Sequence, residues 1–533
     1  MREMSRREFL RGSAAVLLSA RTTERLAAFE MENGPKFSTS DRSWQTAYNR
    51  ALEVLAANTQ VLPRFEAPVL IEGANYAGIW QECGPHEALV YRHFRPDVAR
   101  NSHLTFFALQ REDGQIPANH KATETGFGQI QMVVPIAATA WELARATGDD
   151  ELLHKSYRSC SRWDEWLVRY RNTRGTGLIE GFCTYDTGHD NSPRWSGLPN
   201  QCPEKDARVC PQVPGLPRLC PDLSATVYGA RVALAQMAKA LGKNADADRW
   251  SDEAEQIRSL ILAKLFVEED AAFYDLDANG QFIRIRSDIL SRVCGEHVVD
   301  QKQFELLWER QIHNSRAFWA IYPLPSIALD DLAFVRPIPR NSWGGASQAL
   351  TALRTPRWFE FYRKPSALSF LMDRWCDAIL RDMTFRQQLD PLTGIFTQGD
   401  APNYSPAALV MVDFTWRLAG VREEAGALEW NVRPGHAAAR NAEFAITFEG
   451  NHGASMRYDK TGAALFLDGR TIGRIDSGIA RLVTDKAGRP KTLVGISEHV
   501  ETVSLKLGSH SPERKVLQLD DVLSLDSNRQ SST

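Results

Sequence analysis

Apolar residues recur at helical spacing over most of the chain, from about Ser43 to Gly420. The clearest stripe consists of Ile130, Val133, Val134, Ala137, Ala138 and Trp141. A second comprises Val227, Ala230, Leu234, Met237 and Leu241. Stretches without this period separate the stripes, at 111–128, 173–222, 313–345 and 385–403. We therefore predict a mainly α fold, a toroid of helical hairpins whose long loops converge on a cleft at one end.

The period changes after about Asn431. Apolar residues alternate in 444–448 and again in 503–507, as they do in half-buried strands. Asp468-Gly469 lies between two apolar runs and is a hairpin signal. This pattern predicts a helical domain over 31–430, a small antiparallel β domain, sandwich-like, over 431–510, and a flexible polar tail over 511–533.

The N-terminus carries an export pattern. Ser5–Ala20 reads "SRREFLRGSAAVLLSA", with paired arginines before a short run of small and apolar residues. This order is typical of a twin-arginine signal, and the alternative is the basic start of a helix. We predict a signal region over 1–30 and a periplasmic or secreted protein.

Composition narrows the class of protein. The chain has 533 residues and a formal net charge of −3, which argues against a nucleic-acid-binding protein. It has no apolar run long enough to span a membrane. Three of its eight cysteines, Cys202, Cys210 and Cys220, follow a C-x7-C-x9-C spacing that fits no zinc motif. A disulfide that pins this long loop and free buried thiols are both compatible with the spacing.

One segment concentrates candidate chemistry. Cys183–Trp195 reads "CTYDTGHDNSPRW" and brings two acids close to aromatic residues and an arginine. It resembles the G-x-D-N-S-P-R-W signature of the inverting glycosidases with an (α/α)6 barrel, which include family 63 glucosidases, mannosylglycerate hydrolases and trehalases. Further segments follow in the order of that group, at 88–117, 175–182, 221–234, 317–334, 340–350 and 385–409. The resemblance covers roughly residues 45–420.

The resemblance implies a hydrolase that cleaves a glycosidic bond of a carbohydrate with inversion. Such a reaction needs a carboxylic acid to protonate the leaving oxygen and a second carboxylate, about 6.5–9.5 Å away, to activate water. Asp190 matches the general acid of the group, although Asp-Asn-Ser-Pro is also turn chemistry. Tyr185 and Trp195 are expected to supply partly apolar surroundings. Arg194 either binds substrate or braces the loop.

The position of the catalytic base departs from the group. A Glu is usual four residues before the Pro of the P-x-T-G element, and here that residue is Gln387, which cannot accept a proton as a base. In one interpretation Asp390 or Asp400 supplies the base from the same loop, with Asp400 as the first candidate. In another, Gln387 orients a water that Glu82 or Glu124 activates. In a third interpretation hydrolysis is lost and the cleft only binds.

Other positions are predicted to contact the sugar. Trp80 and Glu82 lie in "IWQEC", where the group has a W-D-S/T-like stretch, and Cys83 stands where an Asp is usual. Asp222 matches an acid that positions substrate, with a helix N-cap as the alternative. Trp343 matches a pocket aromatic, with a core tryptophan as the alternative. Asn119 and His120 lie on a loop expected to reach the cleft.

No organic cofactor is implied, and no metal motif is visible, although loop oxygens are compatible with a structural Ca²⁺ ion. Two rival functions stay open. A polysaccharide lyase, which also uses a helical toroid, would employ a Tyr, His or Lys base. A catalytically inactive glycan-binding protein would explain Gln387.

Overall fold

The computed structural model describes residues 34–448, 452–508 and 511–525. The predicted signal region, 1–30, lies outside the described residues. Within them the chain forms a helical part, followed by a β-rich region. No helix of this described part is long and apolar enough to cross a membrane.

Twelve α-helices occur among the described residues. In chain order they are α1 (Arg42–Ala57), α2 (Gly84–Tyr91), α3 (Pro96–Ala108), α4 (Ile136–Thr147), α5 (Asp150–Tyr170), α6 (Pro221–Ala240), α7 (Asn244–Leu265), α8 (Ile289–Gly295), α9 (Gln301–Leu307), α10 (Ala349–Phe359), α11 (Pro365–Asp382) and α12 (Ser405–Ala419). The boundary between α4 and α5 lies at Gly148–Asp150. Gly148 ends α4 in a left-handed conformation, and the Asp149 side chain caps α5 by accepting from the Leu152 N–H.

Alternate helices contact one another in a closed cycle. The even-numbered helices pack in the order α2, α4, α6, α8, α10, α12 and back to α2. Odd-numbered helices pack outside them, for example α7 against α6 and α1 against α12. The residue pattern explains this division. Helix α12 is buried on almost every face, whereas α7 buries only one stripe, Trp250, Ala254, Ile257, Ile261 and Leu265.

Two antiparallel sheets form the β-rich region. The larger consists, in spatial order, of Lys36–Ser38, Glu443–Phe448, His452–Tyr458, Ala463–Leu467, Arg470–Ser477, Glu501–Leu507 and Glu513–Leu517. The smaller consists of Val421–Glu424, Ala427–Val432, Ala480–Asp485, Pro490–Val494 and Val522–Ser524. The predicted hairpin turn is present. Asp468 and Gly469 both have positive φ between paired strands, as a tight turn of this type requires.

Short strands lie between the helices. Three form one sheet, Gly78–Trp80, Asn119–Lys121 and Thr125–Gly126. Four form another, Phe282–Ile283, Asp275–Leu276, Arg218–Leu219 and Glu180–Gly181. The two-stranded pairs are Thr59–Leu62 with Phe65–Leu70, Phe266–Val267 with Ala272–Phe273, and Ser347–Gln348 with Gln388–Leu389.

The β-rich region is wider than the sequence pattern predicted. Its first strands begin at Val421, and the N-terminal strand Lys36–Ser38 pairs with Glu443–Phe448. The tail predicted to be flexible over 511–533 contains two strands, Glu513–Leu517 and Val522–Ser524. Each is the edge strand of a sheet, so the prediction is wrong as far as Ser524. Glu513–Leu517 is largely charged and exposed, and Val522–Ser524 has only three residues, so neither shows a clear alternation of apolar and polar residues.

Candidate active site

A cleft opens where the segments before the even-numbered helices meet. Its cavity volume is about 180 Å³. Its lining residues are Glu72, Tyr76, Trp80, Glu82, Asn119, Lys121, Gln129, Gln131, Tyr185, Gly188, Asp190, Gln201, Trp343, Leu350, Gln387 and Tyr404. All of them precede or open α2, α4, α6, α10 or α12. Segments far apart in sequence therefore contribute to one site, because these five helices begin around it.

Asp190 lies at this cleft and is partly exposed to it. Its Oδ2 accepts a hydrogen bond from the Asn341 side-chain amide at 3.1 Å, and its backbone carbonyl accepts from the Trp343 N–H at 3.0 Å. Burial raises the pKa of Asp190 to about 6, and the Asn341 hydrogen bond opposes that rise only in part. A carboxyl group in these surroundings can hold a proton near neutral pH and deliver it to a bound molecule.

Arg194 is predicted to bind substrate or to brace the loop, and the structure places it as a brace. Its guanidinium is buried and pairs with both Asp222 and Asp275, with all four N–O distances between 2.6 and 2.7 Å. A third contact joins its Nη1 to Nδ1 of His189 at 2.9 Å, and Nε2 of His189 lies 2.7 Å from Asp288. Neither Arg194 nor Asp222 lines the cleft.

Trp195 is likewise buried rather than part of the cleft wall. Its indole N–H donates to Oγ1 of Thr187 at 2.9 Å, and its ring packs so closely on Gly181 that a Cβ there would lie 2.7 Å from it. Arg194, Asp222 and Trp195, all predicted to belong to the site, are therefore not among the residues that line this cleft. These three residues support the loop from behind.

Gln387 lies in the cleft wall, and hydrogen bonds through Asn341 connect it to Asp190. Its Oε1 accepts from the Tyr76 hydroxyl and from the Gln398 amide, both at 3.0 Å. Its Nε2 donates to Oδ1 of Asn341 at 3.2 Å, and Asn341 in turn donates to Asp190. The position at which the sequence resemblance predicts a base therefore holds a neutral amide, whose oxygen and nitrogen both take part in hydrogen bonds.

Two other carboxyl groups line the cleft, Glu72 and Glu82. Oε1 of Glu82 accepts from the Gln131 amide at 3.2 Å, whereas its Oε2 has no hydrogen-bond partner among the residues that the structure describes. Burial raises the pKa of Glu82 to about 7, with Arg354 opposing the rise and Asp190 adding to it. Glu72 accepts from the Cys83 thiol at 2.6 Å, and burial raises its pKa as well. Glu72, Glu82 and Cys83 lie close enough to share a metal ion.

Three of the four predicted aromatic residues line the cleft, and Trp195 does not. Trp80, Tyr185 and Trp343 all line it, and Tyr76 packs edge-to-face on Trp80 with ring centroids 5.6 Å apart. Asn119 lines it too, whereas His120 is buried and its Nε2 lies 2.7 Å from the Pro63 carbonyl. The flat faces of such rings suit the apolar faces of sugars.

The remaining acid candidates lie away from the cleft lining. Asp400 has 61% of its side chain exposed and pairs with Arg340 at 2.5 Å. Asp390 pairs with Arg336 and caps a turn by accepting from the Leu392 N–H. Glu124 pairs with two lysines, which lower its pKa to about 2.

Sequence reasoning missed Glu72, Tyr76, Asn341 and Tyr404. They come from three separate segments, and the fold brings these segments together. The signal that was available is "NYAGIWQE", which places Tyr76 four residues before Trp80 and six before Glu82.

Solved structures with the same fold are glycosidases and related enzymes. A sialidase superposes with a TM-score of 0.65 at 18% identity, over 86% of this chain and 42% of that chain. The family 63 mannosylglycerate hydrolase from Thermus thermophilus, in complex with glucose, superposes with a TM-score of 0.55 at 18% identity, over 69% of this chain and 99% of that chain. Neutral trehalase from Saccharomyces cerevisiae gives 0.53 at 11% identity, over 74% and 94%. At this identity the likeness shows the fold, which is that of the six-hairpin glycosidases.

Family membership is more specific. The family model for the mannosylglycerate hydrolase MGH1-like glycoside hydrolase domain matches residues 76–416. The chain belongs to this family and is a glycosidase. No curated protein matches it by sequence search. The resemblance drawn from Cys183–Trp195 is thereby confirmed.

Proposed function

We propose that the protein is an exported glycosidase that hydrolyses a glycosidic bond with inversion, on an (α/α)6 toroid. The closed cycle of contacts among the even-numbered helices supports the toroid, with those helices as its inner ring. Export rests on the Ser5–Ala20 pattern alone and would place the enzyme in the periplasm or outside the cell. The proposed chemistry uses no organic cofactor, and any bound Ca²⁺ would have a structural role.

Asp190 is the proposed proton donor. The observation that carries this role is its placement at the cleft, where burial raises its pKa to about 6 and its carboxyl receives one side-chain hydrogen bond. A protonated carboxylic acid there protonates the glycosidic oxygen as the bond to the anomeric carbon breaks.

Glu82 is the proposed proton acceptor. Gln387 cannot take this role, and Asp400 is exposed and paired with Arg340. Glu82 lines the cleft, has one oxygen without a partner in the described part of the chain, and has a pKa of about 7, so that its ionised form is available near neutral pH. Gln387 and Asn341 would orient the water or the sugar without accepting a proton.

The substrate is a carbohydrate small enough to place one sugar ring in a cavity of about 180 Å³. Trp80, Tyr185 and Trp343 would stack on its faces, while Gln129, Gln131 and Lys121 offer donors for hydroxyl groups. Mannosylglycerate and trehalose, the substrates named for related enzymes, are the first compounds to assay.

Product stereochemistry tests the proposal. Wild-type protein, Asp190→Asn and Glu82→Gln are incubated with each glycoside while proton NMR follows the anomeric signal of the released sugar. We expect the inverted anomer from wild type and loss of turnover in both variants. Release of the same anomer as the substrate would overturn inversion. An unsaturated product absorbing in the ultraviolet would indicate a lyase, and binding without turnover on any glycan would favour the inactive binding protein that Gln387 suggests.

A further inference from the structure

Three thiols gather behind the loop that carries Asp190. Cys183 is the first residue of that loop and Cys202 follows its end, and their Sγ atoms lie 3.8 Å apart. Both are buried, and the partly exposed Cys210 packs against them. Every one of these cysteines is a free thiol in the structure.

Backbone hydrogen bonds hold the two ends of this loop side by side. The Thr184 N–H donates to the Pro199 carbonyl at 3.0 Å, and the Tyr185 N–H donates to the Asn200 carbonyl at 3.1 Å. A disulfide needs its sulfur atoms at about 2.05 Å. The two thiols are therefore already neighbours, and rotation of their side chains has to shorten the Sγ–Sγ distance from 3.8 Å to the length of a disulfide bond.

The surroundings differ between the two thiols. Nη2 of Arg171 donates a hydrogen bond to Sγ of Cys202 at 3.7 Å. Burial raises the pKa of Cys183, and the hydrogen bond from Cys202 and the nearby Asp186 carboxylate add to that rise.

A shared metal ion is the other arrangement that such residues adopt. Cys183, Asp186 and Cys202 offer ligand atoms within 4.8 Å of one another. However, the Asp186 carboxylate already accepts two hydrogen bonds from Arg171 and three from the backbone N–H groups of Ile130, Phe182 and Cys183. A cation would have to displace a buried guanidinium, whereas a disulfide leaves these contacts unchanged.

We propose that Cys183 and Cys202 form a disulfide that closes residues 183–202, with Asp190 inside, into a covalent loop when the protein meets a disulfide oxidant. The two thiols lose two electrons and two protons, and the oxidant's own disulfide is reduced to two thiols. Cys210, the partly exposed member of the three, is the entry point in the folded chain, where it forms a mixed disulfide with the oxidant. Cys202 then displaces the oxidant's thiol to give Cys202–Cys210, and Cys183 displaces Cys210 as a free thiol to leave Cys183–Cys202. This bond is independent of the glycosidase proposal, since it needs no catalysis.

Peptide mapping of the full chain tests the bond directly. The protein is treated with oxidised glutathione, alkylated, digested without reductant and analysed by mass spectrometry. We expect a cross-linked peptide pair that contains Cys183 and Cys202 and lacks two hydrogen atoms. Full alkylation of both thiols, a Cys202–Cys210 link, or a zinc ion retained by the pair would each overturn the proposal.

Variants connect the bond to stability. We expect dithiothreitol to lower the melting temperature of the oxidised wild type by a few degrees, because the loop regains freedom in the unfolded chain. Cys202→Ser should show no such dependence, while Cys376→Ser, at a buried thiol of α11, should keep it. Cys210→Ser should slow oxidation of the folded chain yet reach the same cross-link. An unchanged oxidation rate would remove Cys210 as the entry point, and the wild-type mapping decides the bond even if a variant fails to fold.

Discussion

Asp186 and Asp190 lie four residues apart in one loop, yet they have opposite surroundings. Asp186 is fully buried and accepts five hydrogen bonds, two of them from Arg171. Asp190 is partly exposed to the cleft and accepts one side-chain hydrogen bond, from a neutral amide. Asp186 is thus held in place by a buried cation and several N–H donors, whereas burial with few partners raises the pKa of Asp190 to about 6. The first supports the loop, and the second is suited to chemistry.

The largest effect is expected at Asp190. Asp190→Asn keeps the shape and the Asn341 contact but removes the proton, so kcat should fall by about 10²–10⁴-fold. The folded structure should persist, which circular dichroism and a melting curve would check. If kcat of Asp190→Asn stayed within a few-fold of wild type, Asp190 would not be the proton donor, and its contrast with Asp186 would have no functional meaning.

Asp186→Asn should instead act on stability. It leaves the buried guanidinium of Arg171 without its counter-charge, which typically costs about 3–5 kcal/mol of unfolding free energy. Urea unfolding of the variant and of wild type measures this difference. Activity per folded molecule should change far less than in Asp190→Asn. A variant as stable as wild type would mean that the backbone N–H groups alone hold the loop.

The fold was predictable from the sequence because its signals are regular. The helical stripes and the change to alternation each depend on many residues, so no single position decides them. The candidate site was predicted only in part. The predicted residues that do line the cleft are Trp80, Glu82, Tyr185, Asp190, Trp343 and Gln387.

Arg194, Trp195 and Asp222 do not line the cleft, although they lie in or near the same motifs. A motif shows which residues are close in the chain, but whether a side chain points to the cleft or behind the loop depends on partners far away. For example, the buried guanidinium of Arg194 donates to Asp275, which lies 81 positions further along the chain. Glu72 and Asn341 were not predicted for the same reason, because their place in the site depends on partners outside their own segments.

Gln387→Glu would test the neutral amide that stands at the position predicted for the base. The new carboxylate would keep the hydrogen bonds from Tyr76 and Gln398, and the Asn341 amide would have to rotate to donate to it. We expect hydrolysis to rise by about tenfold or more, because a second positioned base becomes available. Gln398→Glu, at the neighbouring amide, is the matched control. A loss of activity would show that the Gln387 amide itself is required.

The pH dependence follows from the two cleft acids. Activity needs protonated Asp190, with a pKa of about 6, and ionised Glu82, with a pKa of about 7. Because the acceptor has the higher pKa, this is the less populated of the two singly protonated forms, at about one tenth of them. The pair should give a bell-shaped kcat/KM profile with its maximum between about pH 6 and 7. A flat profile from about pH 5 to 8 would contradict this assignment.

Stability provides a second readout of the same two groups. Both pKa values are raised by folding, so the folded state binds more protons, and their contribution is present at low pH and lost as pH rises through about 6 to 7. The melting temperature of wild type should therefore fall more between about pH 5 and 8 than that of Asp190→Asn, which has no charge to bury. Equal slopes for the two proteins would show that Asp190 titrates normally.

The smallest effect is expected at Asp400. Its carboxylate is mostly exposed and forms a surface ion pair with Arg340, and such pairs contribute about 0–1 kcal/mol. Asp400→Asn should therefore change kcat by less than about twofold and leave the pH profile unchanged, because the group lies outside the cleft lining. Glu82→Gln, measured with the same substrate, provides the contrast, since it removes the proposed acceptor. A large loss of kcat in Asp400→Asn alone would mean that its loop moves into the cleft when substrate binds, and the water-activating role would then pass from Glu82 to Asp400.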